Sequence, residues 1–267
     1  MPIARLAGVR PLRRSPYGPG RTLLIACLLL TAASCTGLRP ELGAETEPPT
    51  DQVTPVTVSA GAATYEVAEA PASEIDVYAD ATSTEPTRTI TVAEAVATPD
   101  VPITFVVRAR SGDRLEVYLP VSPPGATGWI NAGDVTVSAA DYRLEISLGG
   151  HWLRLRQRGQ VILDAPVAVG TGGDAPALGD AYYLKELLEP PDPTGPYGTY
   201  AYGLSGFATS LTSFTSGEGL VGIHGTDDES SIGEDVTDGS IAVSDEVLDR
   251  LVNDIGLPLG TPVQILP

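Results

Sequence analysis

The chain has 267 residues, 34 acidic against 16 basic side chains, a net charge of −18 and only two cysteines, Cys27 and Cys35. So acidic a surface repels nucleic acid and argues against electrostatic adhesion to anionic lipid. Both cysteines lie near the N-terminus, and His151 and His224 are the only imidazoles, so a disulfide framework and a cysteine-based zinc site are excluded; neither a metal nor a cofactor is expected.

Arg5, Arg10, Arg13, Arg14 and Arg21 precede the apolar run 23–30, and Ala32, Ala33 and Ser34 then lead into Cys35. That order predicts a secretory signal over 1–35, with an apolar core too short for a permanent membrane span. A small-residue step directly before a cysteine resembles a lipoprotein lipobox, which would make Cys35 the lipidated first residue of an exported protein. Ala32 stands where that pattern prefers leucine, so cleavage by an ordinary signal peptidase and soluble export is the alternative. Without the five signal arginines, 11 basic residues face all 34 acidic ones, a net charge near −23. Membrane attachment then has to come from an acyl chain at Cys35.

Residues 36–61 are rich in Pro, Thr, Glu and Gly and poor in large apolar side chains, a composition that reads as a disordered tether. Short alternating runs at 75–78, 87–92, 103–108 and 114–120, broken by turn residues such as Ser111-Gly112-Asp113, predict a small antiparallel β domain over 62–139. Gly128, Trp129, Ile130 and Val135 resemble the closing strand of a bacterial SH3-like barrel, a module that often binds wall peptide. Trp129 itself is read as a core residue.

The third segment, 140–267, opens with hairpin strands at 143–147, 152–157 and 161–169, joined by turns at Gly149-Gly150 and Arg158-Gly159. His151, beside the first turn, is read as a solvated imidazole. A further strand is expected at 182–188. Near the C-terminus Ser244 is a credible helix N-cap, Asp245 and Glu246 suit the positive helix end, and Val247, Leu248, Leu251, Val252 and Ile255 form one stripe. Gly256 and Pro258 stop that helix, and the run 262–265 returns to the sheet.

Several strings in this half share one likeness. Ile223-His224-Gly225-Thr226, followed by Thr237-Asp238-Gly239-Ser240-Ile241-Ala242, resembles the active-site stretch of the L,D-transpeptidases with a YkuD-type domain, the peptidoglycan cross-linking enzymes. Gly170-Thr171, 176–179, Tyr197-Gly198, Leu204-Ser205, 214–217 and the ending Gly260-Thr261-Pro262-Val263 are similar to further passages of that family. The resemblance implies a mainly β fold: an SH3-like barrel followed by a YkuD-type β-sandwich with a C-terminal helix.

It also implies roles. His224 is the base, Ser240 stands where the family carries its nucleophilic cysteine, and the Gly225 carbonyl fixes the imidazole tautomer. Backbone amides at Gly239 and Ser240 form the oxyanion hole. An alcohol cannot exist as a ready thiolate, so Ser240 needs concerted proton removal. Asp238, where the family has histidine, supplies a carboxylate that would complete a Ser240–His224–Asp238 triad. The other reading makes Asp238 and Ser240 ordinary turn residues of a silent relative, in keeping with Ala242 in place of the family's arginine. Asp227, Asp228, Glu229, Glu234 and Asp235 lack calcium-loop spacing and read as a solvated rim. The partners implied are peptidoglycan stem peptides and, through Cys35, a membrane; the activities left open are acyl transfer to an amine, hydrolysis as a serine carboxypeptidase, and wall binding without turnover.

Overall fold

The structure, a computed structural model, describes residues 54–55, 64–71, 73–98, 101–170, 176–207, 222–237 and 239–267. The signal with Cys27 and Cys35, most of the 36–61 tether, Thr171, the 214–217 string and Asp238 lie outside them. The first strands are β1 (Thr54–Pro55), β2 (Tyr65–Ala70), β3 (Glu74–Val77) and β4 (Arg88–Thr91), then a single helical turn α1 (Val92–Ala95). There follow β5 (Ile103–Ser111), β6 (Arg114–Tyr118), β7 (Thr127–Asn131) and β8 (Thr136–Ala140). One sheet has the order β7-β6-β5-β2-β8, with β1 against β5, and β3 pairs β4 in a separate antiparallel hairpin.

Period-two alternation decides which side chains this sheet buries. Leu115 and Val117 of β6 and Ile130 of β7 turn inward to meet Phe105, Val107, Ile75 and Ile90 in one apolar cluster. Trp129 departs from the sequence expectation: it is half-buried, since the buried Gly128 and Ile130 flank it on the opposite face of β7.

The second half carries β9 (Tyr142–Ser147), β10 (Trp152–Gln157), β11 (Gln160–Pro166), β12 (Val169–Gly170), β13 (Gly179–Leu188) and β14 (Ala201–Leu204). It ends with β15 (Gly222–His224), β16 (Asp235–Thr237), β17 (Ile241–Ala242), the helix α2 (Asp245–Asp249) and β18 (Pro262–Leu266). An eight-stranded sheet runs β11-β10-β9-β18-β13-β14-β15-β17. Most of its pairs are antiparallel, but β9–β18 and β15–β17 are parallel, so the last strand inserts beside the first and the site strand lies beside a segment distant in sequence. Leu144, Ile146, Leu153, Leu155, Tyr202 and Ile223 from this sheet, with Leu248 of α2 and Leu251 just beyond it, fill its core. Each such fully buried side chain contributes about 1.5–3 kcal/mol.

Two local departures shape the site. The run 161–169 is not one strand: β11 ends at Pro166, a residue without an N–H for the ladder, and β12 turns away to pair in parallel with β16. The C-terminal helix begins as expected, with the Ser244 hydroxyl accepting from the Val247 amide at 3.3 Å. It widens after Asp249 into a π turn, Arg250–Asp254, and Gly256 ends it with φ +63°.

The two sheets meet through buried polar contacts. Tyr183 Oη of β13 donates to the Thr104 carbonyl of β5 at 2.8 Å, and the Gly206 amide donates to the Pro120 carbonyl at 3.1 Å. Beside them Lys185 and Glu186, almost wholly buried, lie 3.7 Å apart. Lys185 Nζ donates to the Phe207 carbonyl at 2.8 Å, and Glu186 accepts from the Ala97 amide at 2.6 Å. Among the described residues no helix is long and apolar enough to cross a membrane.

Candidate active site

His224 ends β15 and Ser240 immediately precedes β17. The parallel register Ile223↔Ile241 and His224↔Ala242 lays the two segments side by side although the two residues are 16 apart in sequence. The strand pair is tightened by the Val243 amide, which donates to the His224 carbonyl at 2.9 Å. On the other side β17 is bridged to Ala168 by two backbone hydrogen bonds, of 2.9 and 3.0 Å.

His224 Nε2 lies 2.7 Å from Ser240 Oγ, and Nδ1 lies 2.6 Å from the Gly225 carbonyl oxygen. A carbonyl only accepts, so Nδ1 carries the proton and Nε2 is left to accept from the Ser240 hydroxyl. This is the tautomer a general base needs. His224 and Ser240 are 5% and 6% exposed. Burial drives the imidazole pKa from 6.5 down to about 4, only partly countered by the Gly225 carbonyl. The neutral base is therefore the form present near neutral pH.

The surrounding backbone holds this pair. The Tyr197 ring meets the imidazole edge-on, with centroids 5.0 Å apart, while its carbonyl accepts from the Gly225 amide at 3.0 Å. Thr237 Oγ1 donates to the Ser240 carbonyl at 2.5 Å. Gly239, before the serine, has φ +93°, a conformation other residues rarely adopt, and a Cβ on Gly170 would collide with it. Both glycines are thus required where β12 presses on the serine loop. A Cβ on Gly198 or Gly225 would likewise strike Asp245 Oδ1, a buried oxygen that accepts no hydrogen bond from the described residues.

Of the residues singled out from sequence, His224, Ser240, Gly225 and Gly239 come together here, while Asp238 lies outside the described residues. Ala242 is 3% exposed and sits in the strand ladder, so no charged side chain occupies that place. Asp227, Asp228, Glu229, Glu234 and Asp235 are exposed. Among the described residues no group of three His, Cys, Asp or Glu is placed to hold a metal ion. His151 differs from expectation, for its Nε2 lies 2.8 Å from Asp235 Oδ1. Thr237, Tyr197 and Gly170 belong to strings the sequence singled out but carried no assigned part there, and Asp245 was read only as a helix-end residue. Their parts in the site are set by side-chain contacts and close backbone approach that the folded chain makes.

Residues 141–265 match the YkuD family, the L,D-transpeptidase catalytic domain. Among solved structures the chain is similar to an L,D-transpeptidase from Xylanimonas cellulosilytica, at 18% identity over 46% of this chain and 59% of that one, with a TM-score of 0.36. It is similar to Bd1075 of Bdellovibrio bacteriovorus at 24% identity, over 47% of either chain, with a TM-score of 0.36. A third is L,D-transpeptidase 3 from Mycobacterium tuberculosis in complex with a faropenem-derived adduct, at 13% identity over 63% of this chain and 74% of that one, with a TM-score of 0.38. The chain spans less than two thirds of the length of the first two. No curated protein matches it.

Proposed function

We propose, on the premise that residues 141–265 are an L,D-transpeptidase catalytic domain of the YkuD family, that this protein transfers acyl groups of peptidoglycan stem peptides with Ser240 as nucleophile. The observation that carries this reading is the 2.7 Å contact between Ser240 Oγ and an Nε2 whose partner nitrogen is held by the Gly225 carbonyl. Ser240 Oγ attacks the carbonyl of the third stem residue while His224 Nε2 takes its proton. The proton then goes to the departing terminal D-alanine, and an amine of a neighbouring stem resolves the acyl-serine into a cross-link. Backbone amides at Gly239 and Ser240 are the donors we assign to the oxyanion. If Asp238 orients the base, it does so in addition to the backbone carbonyl already on Nδ1.

Export behind a signal over 1–35, an acyl anchor at Cys35, a tether over 36–61, an SH3-like domain over 62–139 and the catalytic part over 140–267 complete the proposal. The test incubates the purified protein with disaccharide tetrapeptides and reads the products by mass spectrometry. D-alanine release with cross-linked dimers, both lost in Ser240→Ala, is the expected result. Trimmed monomers without dimers would make it a serine carboxypeptidase. The absence of charge at Ala242 favours one second reading, a wall-binding relative without turnover. That reading requires sacculus binding above that of an acidic control protein, with no product formed.

A further inference from the structure

We propose that the Ser240–His224 pair acts on carboxylic esters, an acyl-donor class distinct from the stem-peptide amide. The inference rests on the reading of Ser240 as an acyl-accepting nucleophile and extends it to the bond that is broken.

Three features of the site point this way. The nucleophile is an alcohol, and the only cysteines of the sequence, Cys27 and Cys35, both belong to its N-terminal segment. The nitrogen of His224 that faces away from Ser240 meets a backbone carbonyl, at 2.6 Å. Among the described residues an imidazolium formed there meets a peptide dipole on Nδ1, where the histidine of a serine protease meets a carboxylate. Asp245 Oδ1, the buried carboxylate oxygen against Gly225, accepts no hydrogen bond among the described residues, and Asp235 is engaged with His151. Both reacting groups are more than nine-tenths buried, where an uncompensated charge is costly.

Such a base supports reactions whose transition state leans least on a fully formed imidazolium. Amide cleavage leans on it more heavily, because the departing nitrogen has to be protonated before it leaves, so of the two donors the ester is the easier one for this pair. An ester's oxygen leaves with far less help, and exchanging one C–O bond for another is close to balanced in energy. The charge around the pair agrees. Ala242 offers no cation to hold a substrate carboxylate, and the segment from His224 to Ser240 exposes Asp227, Asp228, Glu229, Glu234 and Asp235, which repel anions and favour departure of a carboxylate product.

The reaction balances with water alone as co-reactant. Ser240 Oγ bonds to the ester carbonyl carbon as its proton passes to His224 Nε2. The carbon–alkoxy bond breaks, and that proton leaves with the alcohol. Water then attacks the acyl-serine, giving one proton to Nε2. The carbon–Oγ bond breaks, the proton returns to Oγ, and the carboxylic acid is released.

The test gives the intact protein 4-nitrophenyl acetate and, in parallel, 4-nitroacetanilide, the amide with the same acyl group. The expected result is ester turnover with one acetyl group found on Ser240 after an acid quench, no turnover of the anilide, and a loss of about 10²–10⁴-fold in Ser240→Ala and His224→Ala. An acetyl group found only on other residues overturns the proposal, as does ester turnover that survives within about threefold in a folded Ser240→Ala. The wild-type adduct needs no variant, so a variant that fails to fold leaves the decision intact. Ester turnover without any stem-peptide product would keep this inference and remove the wall substrate. Stem-peptide turnover without an acetylated Ser240 would do the reverse.

Discussion

At the scale of the residue, the burial of one imidazole has consequences that can be measured. Because His224 is held neutral down to about pH 4, the acid limb of kcat/KM for any Ser240-dependent reaction should fall near pH 4 and not near 6.5. A profile on several substrates that breaks near 6.5 would place the base in water. The same shift acts on stability. The unfolded chain protonates His224 near 6.5 and the folded one only near 4, so the unfolded state binds the extra proton between them and folding weakens as pH drops through that window. The full loss from this one side chain is roughly 3 kcal/mol, and none of it acts above about pH 7. Urea unfolding of the protein and of His224→Asn at pH 7.5 and 4.5 isolates it, since the variant should lose less stability on acidification by about that amount.

At the scale of the element, the serine loop depends on strands too short to stand alone. The two residues of β12 pair with β16, the preceding Ala168 bridges β17, and Gly170 lies so close to Gly239 that a Cβ on Gly170 would collide with it. Gly239→Ala adds a side chain at φ +93° and should abolish Ser240-dependent acylation. Unchanged acylation in a folded Gly239→Ala would show that the loop can remodel. The N-cap of α2 was readable in advance because Ser244 precedes Asp245 and Glu246 at an apolar stripe. Ser244→Ala should cost about 1 kcal/mol, read as a lowered Tm. The π turn after Asp249 was not readable, because the stripe of Leu248, Leu251 and Ile255 is compatible with either winding. The break at Pro166 was carried by the proline itself, whose missing N–H ends the ladder, although the sequence expectation ran one strand through Val169; the new partner, β16, left no local mark.

At the scale of the whole molecule, the two sheets are held together by polar groups taken out of water. Lys185 and Glu186 are adjacent in β13, and burial lowers the Lys185 pKa while the Glu186 charge opposes that shift. Removing one partner strands the other, so Lys185→Met should cost about 3–5 kcal/mol, while Lys185→Met with Glu186→Gln should cost less than the single change. Equal costs in urea unfolding would mean that the pair is not coupled. Composition and pattern determined the β class, because alternation such as Leu115/Val117 or Leu153/Leu155 is a local property of the chain. They also determined that position 240 offers a hydroxyl oxygen and no thiol, since neither cysteine lies in this half. The family likeness offered His224, Ser240 and the Gly225 carbonyl as partners, and the tertiary structure decided that Nε2 lies 2.7 Å from that oxygen, that Nδ1 lies 2.6 Å from the carbonyl, and that both side chains are shut away from water. Those three facts arise from parallel pairing between strands separated by a loop and from burial by distant segments. Such contacts are made by the folded chain as a whole and leave no trace in the spacing of the residues that make them.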